Sequence, residues 1–315
     1  MLRTAGEWES LQALLLQGFL RDGDVAVDIG AHIGSHTIPL GVSVYPSGTV
    51  HAFEVQAGVA RVLRANVELY GLQNMVHVHG AAVSDAAAAA EGSISVRRVN
   101  LTAPTNEYLS PEGNLLNNVG GFSIASDVHV PVDDELSDSV PVVTIDSFGW
   151  YSESSTCPRL MKLDVEGVEL KVLEGARETI RACKPVLHVE NNHGENSKAL
   201  IDWLNAEGYS LYFEVDVFQQ PLSYSGRYFS TAASVPLSIN LLAVPTGFDI
   251  ASYPQASAWL LDFLTPIDVN QPELSKYVVK VPVIHDPVLS IQKHDDSTVL
   301  LQMVPVVKSE LYRIG

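Results

Sequence analysis

The sequence predicts a doubly wound α/β domain with a mainly parallel sheet, and of two observations the first predicts the fold and the second places a ligand site on it. Short β-rich runs alternate with helical patterns through most of the 315 residues, which is typical of βαβ units. Acidic residues stand at or near the ends of four of these runs, where ligands bind in such sheets. These are Asp28, Glu54, Asp164 and Glu190.

The first half of the chain supplies three of the predicted strands. They lie at 25–29, 49–53 and 76–79, and a helix with a 3.6-residue apolar period covers about 59–70 before Gly71 ends it. The alternation then lapses over residues 86–139, which are rich in Asn, Ser, Gly and Asp. We interpret that segment as a partly ordered insertion, because structureless loops of this length are uncommon in compact domains.

The alternation resumes after the insertion. Strands are predicted at 140–145, 159–163 and 186–189, with one helix over about 168–180 between the last two and another around 199–204; an antiparallel pair at 209–215 and 240–244 closes the sheet. Residues 246–315 contain Pro-broken, β-rich pieces outside this pattern. We therefore predict a main domain at 1–245 and a C-terminal appendage at 246–315, for which homodimer contacts are one interpretation.

Net charge and cysteine content limit the classes of binding partner and the cellular compartment that we expect. The 19 Lys and Arg against 37 Asp and Glu give a net charge of −18, which repels nucleic acid backbones and anionic membranes. We therefore expect neither nucleic acid nor membrane as a partner. Cys157 and Cys183 form no C-x-x-C pair, so we interpret them as thiols in a reducing compartment and expect a cytoplasmic protein.

The turn after the first strand is the candidate cofactor site. Asp28 is followed by Gly30 and Gly34, whose spacing lets a ligand approach the backbone, and Glu54 at the end of the second strand can accept hydrogen bonds from a ribose. A nicotinamide dinucleotide uses similar geometry. The G-x-x-x-G spacing, and a carboxylate that would repel a pyrophosphate, favour the cationic S-adenosylmethionine instead.

Several segments resemble the FkbM family of methyltransferases over residues 7–245. They are Phe53-Glu54, the Ala-Val-Ser-Asp stretch at 82–85, the Val-Val-Thr-Ile-Asp stretch at 142–146 and above all Lys-Leu-Asp-Val-Glu-Gly-Val-Glu at 162–169. The resemblance implies a class I methyltransferase fold, which is a seven-stranded Rossmann-like sheet. It also implies S-adenosylmethionine as methyl donor, and O-methylation of sugars, polyketides or related metabolites.

The resemblance also assigns residues to the cofactor. It implies that the methionine and ribose end meets Asp28, Gly30, Gly34 and Glu54, with His32 in the same turn where the family usually has Asn, and that adenine lies near Ala82, Ser84 and Asp85. A hydroxyl acceptor needs a group to remove its proton. Asp164, Glu166 and His193 are the candidates because they follow predicted strand ends. Residues 100–126 are the predicted lid.

Two questions stay open at the level of sequence. One is whether Asp164, Glu190 and Asn191 bind a divalent cation, with Mg²⁺ the best match to hard oxygen ligands at two adjacent strand ends. The other is activity. Besides a methyltransferase with a small-molecule acceptor, the pattern allows a nicotinamide-dependent oxidoreductase or an inactive cofactor-binding scaffold protein.

Overall fold

The computed structural model describes residues 9–98, 137–153, 155–191, 194–217, 237–257, 264–268, 270, 278–293 and 299–313. Its helices and strands alternate along the chain as the sequence predicts. The helices are α1 (Ser10–Gln17), α2 (Thr37–Val44), α3 (Ala57–Leu69), α4 (Ala86–Ala90), α5 (Glu169–Glu174), α6 (Arg177–Cys183) and α7 (Gly194–Ala206). The strands are β1 (Val25–Ile29), β2 (Thr49–Phe53), β3 (Val76–His79), β4 (Ala82–Val83), β5 (Ser93–Arg97), β6 (Ser137–Val143), β7 (Pro158–Leu163), β8 (Val186–Glu190), β9 (Tyr209–Val217), β10 (Leu237–Pro245), β11 (Thr265–Pro266), β12 (Val278–Lys293) and β13 (Val299–Arg313).

The central sheet confirms the predicted fold class. Its order is β3-β2-β1-β7-β8-β10-β9, with the two-residue β11 added at the edge. The first five of these strands are parallel, and β10 is antiparallel to both of its neighbours. The strand order reverses between β1 and β7. In a parallel sheet that crevice is where ligands bind.

Helices cover both faces of the sheet. On one face α1, α2 and α3 contribute Leu16, Leu40 and Leu63 to a buried core, while on the other α5, α6 and α7 contribute side chains such as Val172 and Ile180. All five residues of β1 and of β8 are buried, as expected for strands between two helical layers. The sheet therefore holds the ends of β1, β7 and β8 rigidly beside one another.

Two predicted elements are present but are arranged differently from the simple alternation. The strand predicted at 140–145 is β6, but it pairs with β4 and β5 in a separate three-stranded sheet. The helix predicted over 168–180 breaks into α5 and α6 at Gly175. A Cβ on that glycine would run into the Ser84 carbonyl, so the chain passes β4 at a distance that only glycine allows.

The ends of the predicted insertion are regular, since they form α4, β5 and the start of β6. The predicted lid at 100–126 lies outside the described residues. Past residue 245, Tyr253, Ala256 and Leu264 pack into the α1–α3 side of the core, while β12 and β13 form a long antiparallel hairpin. The packed core thus continues beyond the predicted boundary, and the dimer role of the appendage stays a prediction.

The two cysteines correct another expectation. Cys157, just before β7, and Cys183, at the end of α6, form a disulfide across 26 residues. The end of α6 lies beside the start of β7, and this brings the two cysteines together. The pairing depends on the folded structure, so it could not be predicted from the sequence. Because disulfides persist in oxidising compartments, the cysteines no longer support the predicted cytoplasmic location.

Helix length also bears on the membrane question. In the part of the chain that the structure describes, no helix combines the length and apolar character that a membrane span requires.

Candidate functional site

The site is built on the turn between β1 and α2. Gly30 and Gly34 both have positive φ angles, of 81° and 97°, and a Cβ on Gly30 would run into the carbonyl of Asp164. The turn therefore lies directly against the end of β7. His32 between them also has positive φ, 49°, in the left-handed region where Asn and His are enriched among non-glycine residues. That shared tolerance explains how His can stand where the resemblance leads us to expect Asn.

Glu54 ties this turn to the end of β2. Its Oε2 accepts a hydrogen bond from the His32 amide at 2.9 Å, and its Oε1 accepts one from the Gln56 amide at 2.7 Å. Burial raises the pKa of Glu54 to about 7, against the opposing effect of these two amides and with a further rise from Asp28 and Asp164. Each carboxylate oxygen keeps a second lone pair, so Glu54 can still accept a ligand hydroxyl.

Asp28 lies deeper than the sequence suggests. Its side chain is 0% exposed; Oδ2 accepts a hydrogen bond from the Thr37 hydroxyl at 2.6 Å, and Oδ1 lies 3.6 Å from Lys162 Nζ. In this arrangement Asp28 supports the turn from behind. Its predicted role toward the cofactor stays a prediction, and from this buried position Asp28 would act through the turn.

Lys162 is the functional candidate that sequence reasoning passed over. It belongs to the Lys-Leu-Asp-Val-Glu-Gly motif, but nothing in the motif assigns the lysine a role. Its ammonium donates to Asp164 Oδ2 at 3.1 Å, and its side chain is 2% exposed. Burial by itself would lower the pKa of Lys162, but Asp164, Asp28 and Glu9 more than offset that effect and raise it, so the ammonium stays charged.

Three carboxylates meet at the ends of β7 and β8. One oxygen from each of Asp164, Glu166 and Glu190 lies within 4.8 Å of the other two. Glu166 has a positive φ of 55° and lies in the turn before α5. Burial raises the pKa of Glu166 to about 7, and Asp164 and Glu169 raise it further, while Lys162 lowers it.

Two other predicted site residues follow β8. Asn191 is buried, and its backbone N–H donates to the Ile239 carbonyl at 2.8 Å. Its side-chain Oδ1 accepts no hydrogen bond from the described residues. A buried amide oxygen in that state is a candidate ligand for water or a cation. His193 lies outside the described residues.

The stretch predicted to surround adenine forms β4 and the start of α4. Ala82 is buried in β4, and the Ser84 amide donates to the Val143 carbonyl of β6 at 3.0 Å. Asp85 caps α4, because its Oδ1 accepts a hydrogen bond from the Ala88 amide at 2.8 Å. Backbone hydrogen bonds and the Asp85 side chain thus hold this stretch in place.

Further buried polar side chains lie behind Lys162, and no motif in the sequence predicted them. The buried His36 Nε2 lies 3.9 Å from Glu9 Oε2, and burial lowers the pKa of His36 well below its ordinary value, with Lys162 and His188 contributing. His188 is buried in β8, and its Nε2 lies 3.2 Å from Glu214 Oε2. The candidate site thus rests on a buried polar layer.

The sequence of the chain matches one family model. The model describes the methyltransferase FkbM domain and covers residues 28–211, more than half of the chain. The matched segment includes the glycine turn, Glu54, the residues around β4 and all three clustered carboxylates. A comparison with curated proteins found no match.

Solved structures with similar folds include methyltransferases of several kinds. One is a methyltransferase FkbM from Methylobacillus flagellatus KT, with 19% identity, 71% of this chain and 44% of that chain covered, and a TM-score of 0.39. Another is a SAM-dependent O-methyltransferase from Thermotoga maritima, with 15% identity, 75% and 64% coverage, and a TM-score of 0.39. A putative rRNA methylase from Clostridium thermocellum has 10% identity, 76% and 96% coverage, and a TM-score of 0.37. The chain thus spans less than two thirds of the first two of these relatives.

Proposed function

The chain belongs to the FkbM methyltransferase family, and from that premise we propose that it transfers the methyl group of S-adenosylmethionine to a hydroxyl on a small molecule. In this reaction the acceptor oxygen attacks the methyl carbon in line with the departing sulfur. The carbon–sulfur bond breaks, its electron pair stays on sulfur, and the hydroxyl proton passes to a base on the protein. The products are a methyl ether and S-adenosylhomocysteine.

The observation that carries the proposal is the acidic edge around the glycine turn. Asp28 lies buried in β1 beside Lys162. The carboxylates of this edge are Glu54, Asp164 and Glu190, which follow or end β2, β7 and β8 at the same end of the sheet. Their charge would repel a pyrophosphate and attract a ligand that carries a sulfonium and an ammonium. This favours S-adenosylmethionine over the nicotinamide cofactor that the sequence also allowed.

The cofactor half of the site is the turn with its partners on β2 and β4. We propose that the backbone of Gly30, His32 and Gly34 meets the methionine end, that Glu54 accepts the ribose hydroxyls, and that the adenine lies along Ala82, Ser84 and Asp85. The held position of the His32 amide on Glu54 supports this assignment. A ribose that binds Glu54 would meet a carboxylate already fixed by two backbone donors.

The acceptor half is the end of β7. We propose that Asp164, Glu166 or His193 receives the proton from the acceptor hydroxyl. Asp164 is one third exposed, so it faces the mouth of the site, whereas its partner Lys162 is buried beneath it. Glu166 projects from the next turn, where a carboxylate can reach a ligand placed above the strand ends.

We propose a small molecule as acceptor because of the charge of the chain. A net charge of −18 opposes close approach to RNA, although the fold also occurs in proteins described as rRNA methylases. The test incubates the protein with S-adenosylmethionine labelled on the methyl group and a cell extract separated into small-molecule and RNA fractions. Label in the small-molecule fraction supports the proposal, whereas label in the RNA fraction would show that the acceptor is RNA and not a small molecule. Transfer to neither fraction, despite cofactor binding, favours the scaffold alternative.

The cluster of three carboxylates favours a second candidate feature, a divalent cation. Oxygens from Asp164, Glu166 and Glu190 lie within 4.8 Å of one another, and a cation would relieve their repulsion. Carboxylate oxygens are the hard ligands that Mg²⁺ prefers, and the buried Asn191 Oδ1, which follows β8, is a further oxygen of this kind. When bound, such an ion would lower the pKa of a coordinated hydroxyl. The cation is therefore an alternative to an unaided protein base.

Calorimetric titration of Mg²⁺ and Mn²⁺ into protein freed of metal by a chelator tests this second candidate. Binding that disappears in Asp164→Asn, and persists in the exposed control Asp202→Asn on α7, would support a cation site at this edge. An absence of binding heat in the folded wild-type protein, with or without S-adenosylhomocysteine, would refute it.

A further inference from the structure

We infer that Lys162 is a positioning residue that couples the cofactor turn to the carboxylate on the acceptor side. The inference rests on the proposed function, because it assigns a task to a side chain beneath the same site. Lys162 itself is too deeply buried to touch a ligand at the mouth. It acts through Asp28 and Asp164.

The geometry places one ammonium between two carboxylates on different strands. Lys162 Nζ lies 3.1 Å from Asp164 Oδ2 and 3.6 Å from Asp28 Oδ1. Asp28 on β1 and Lys162 on β7 are direct register partners in the parallel ladder, so the bridge is set by the sheet. The exposure of the three side chains rises from 0% at Asp28 and 2% at Lys162 to 33% at Asp164. The bridge therefore runs from the interior to the mouth.

Each carboxylate is also fastened to one half of the site. Asp28 accepts a hydrogen bond from the hydroxyl of Thr37, the first residue of α2, which directly follows the glycine turn. On the other side the Asp164 amide donates to the Ile29 carbonyl at 3.0 Å, and the Asp164 carbonyl faces Gly30. A displacement of Lys162 would therefore disturb the turn and the acceptor-side carboxylate together.

Charge explains why a lysine is needed at this place. Asp28 is fully buried, and an ionised carboxylate in the interior is costly unless a cation lies close to it. Without the ammonium, Asp28 must take up a proton or move, and the alignment of the turn changes in either case. Asp164 would lose the donor that fixes one of its two oxygens. Both effects should weaken binding of the cofactor.

The experiment measures binding of S-adenosylhomocysteine by calorimetry to the wild-type chain and to Lys162→Met. We expect Lys162→Met to weaken binding roughly tenfold, within the range for residues of one ion-pair network, and Lys162→Arg to restore part of the loss. The matched control is Lys198→Met, which removes an exposed lysine paired with Asp202 at 2.5 Å on α7 and should bind as the wild type does.

A double-mutant cycle with Asp28→Asn separates positioning from general destabilisation. If Lys162 acts through Asp28, the two substitutions together weaken binding less than the product of their separate effects. If Lys162→Met does not fold, the double variant Asp28→Asn/Lys162→Met is compared with Asp28→Asn alone. The double variant leaves no unpaired charge at Asp28. There we expect a further loss from the freed Asp164.

The outcomes are distinct. Wild-type affinity in folded Lys162→Met, or effects of Lys162→Met and Asp28→Asn that multiply without coupling, would overturn the inference while leaving the proposed function intact. A folded wild-type chain that binds neither S-adenosylmethionine nor S-adenosylhomocysteine would overturn the proposed function and the inference with it.

Discussion

Gly30→Ala is the substitution whose effect follows most directly from the geometry of the turn. Gly30 has φ of 81°, and a Cβ at this position would run into the backbone carbonyl of Asp164. The obstacle is backbone at the end of a buried strand, so it cannot rotate away as a flexible side chain would. The turn and β7 must separate to admit a methyl group.

The size of the effect has two parts. An L-residue in the left-handed region costs about 1–2 kcal/mol. Forcing an extra methyl group into a well-packed region typically costs about 1–3 kcal/mol more. We therefore expect Gly30→Ala to lower the free energy of unfolding by roughly 2–5 kcal/mol. Because the turn contributes the proposed cofactor contacts, affinity for S-adenosylhomocysteine should fall as well.

Gly71→Ala is the matched control. Gly71 ends α3 with φ of 70°, but a Cβ there would meet nothing within 4 Å, so the substitution carries the conformational cost alone. Denaturant unfolding followed by circular dichroism should show a loss of about 1–2 kcal/mol for Gly71→Ala and a clearly larger loss for Gly30→Ala. Equal losses in the two variants, or unchanged cofactor affinity in Gly30→Ala, would refute the close approach of the turn to β7.

Four further predictions test other parts of the structure. Affinity for S-adenosylhomocysteine should rise from pH 6 to pH 8, because Glu54 ionises with a pKa of about 7 and its charged form accepts ribose hydroxyls better. Calorimetry should show a flatter dependence of affinity on pH for Glu54→Gln. A wild-type affinity that falls as the pH rises would contradict the assignment. Glu54→Ala should weaken binding by roughly 1.5–3 kcal/mol, and an unchanged affinity would place the ribose elsewhere. Replacing Cys157 and Cys183 by Ala opens a loop of 26 residues and should lower the free energy of unfolding by about 3 kcal/mol. A reductant should then have no effect on the stability of the variant. If the reductant also leaves the stability of the wild-type protein unchanged, the disulfide is absent. Asp85→Ala removes the cap of α4 and should cost about 1 kcal/mol in denaturant unfolding, whereas no measurable loss would argue against the cap.

The strands of the central sheet could be read from the sequence because their signals are local. The bounds of β1, β2 and β3 agree with the prediction, since each is a short apolar or β-branched run and acidic or glycine residues follow β1 and β2. The break between α5 and α6 could not be predicted. It depends on Gly175 passing the Ser84 carbonyl, a contact between segments far apart in sequence. The apolar period alone continues across it.

The candidate site also has features that the sequence predicts and features that only the folded structure shows. Carboxylates at strand ends were predictable because parallel strands bring their ends to one edge, and the clustering of Asp164, Glu166 and Glu190 follows that logic. The role of Lys162 depends on which residue of β1 stands beside it, and register is a property of the folded sheet. The depth of Asp28 is unreadable for the same reason, because burial of a charge is decided by its partners.

The most direct test of the account is a crystal structure of the protein with S-adenosylhomocysteine. The account predicts the ligand over the turn at Gly30 and Gly34, with its ribose hydroxyls within hydrogen-bonding distance of Glu54 and its sulfur directed toward the mouth beside Asp164. Adenine should lie against the 82–85 stretch. A ligand bound elsewhere in the fold, or bound at the turn with its ribose away from Glu54, would contradict the central claim.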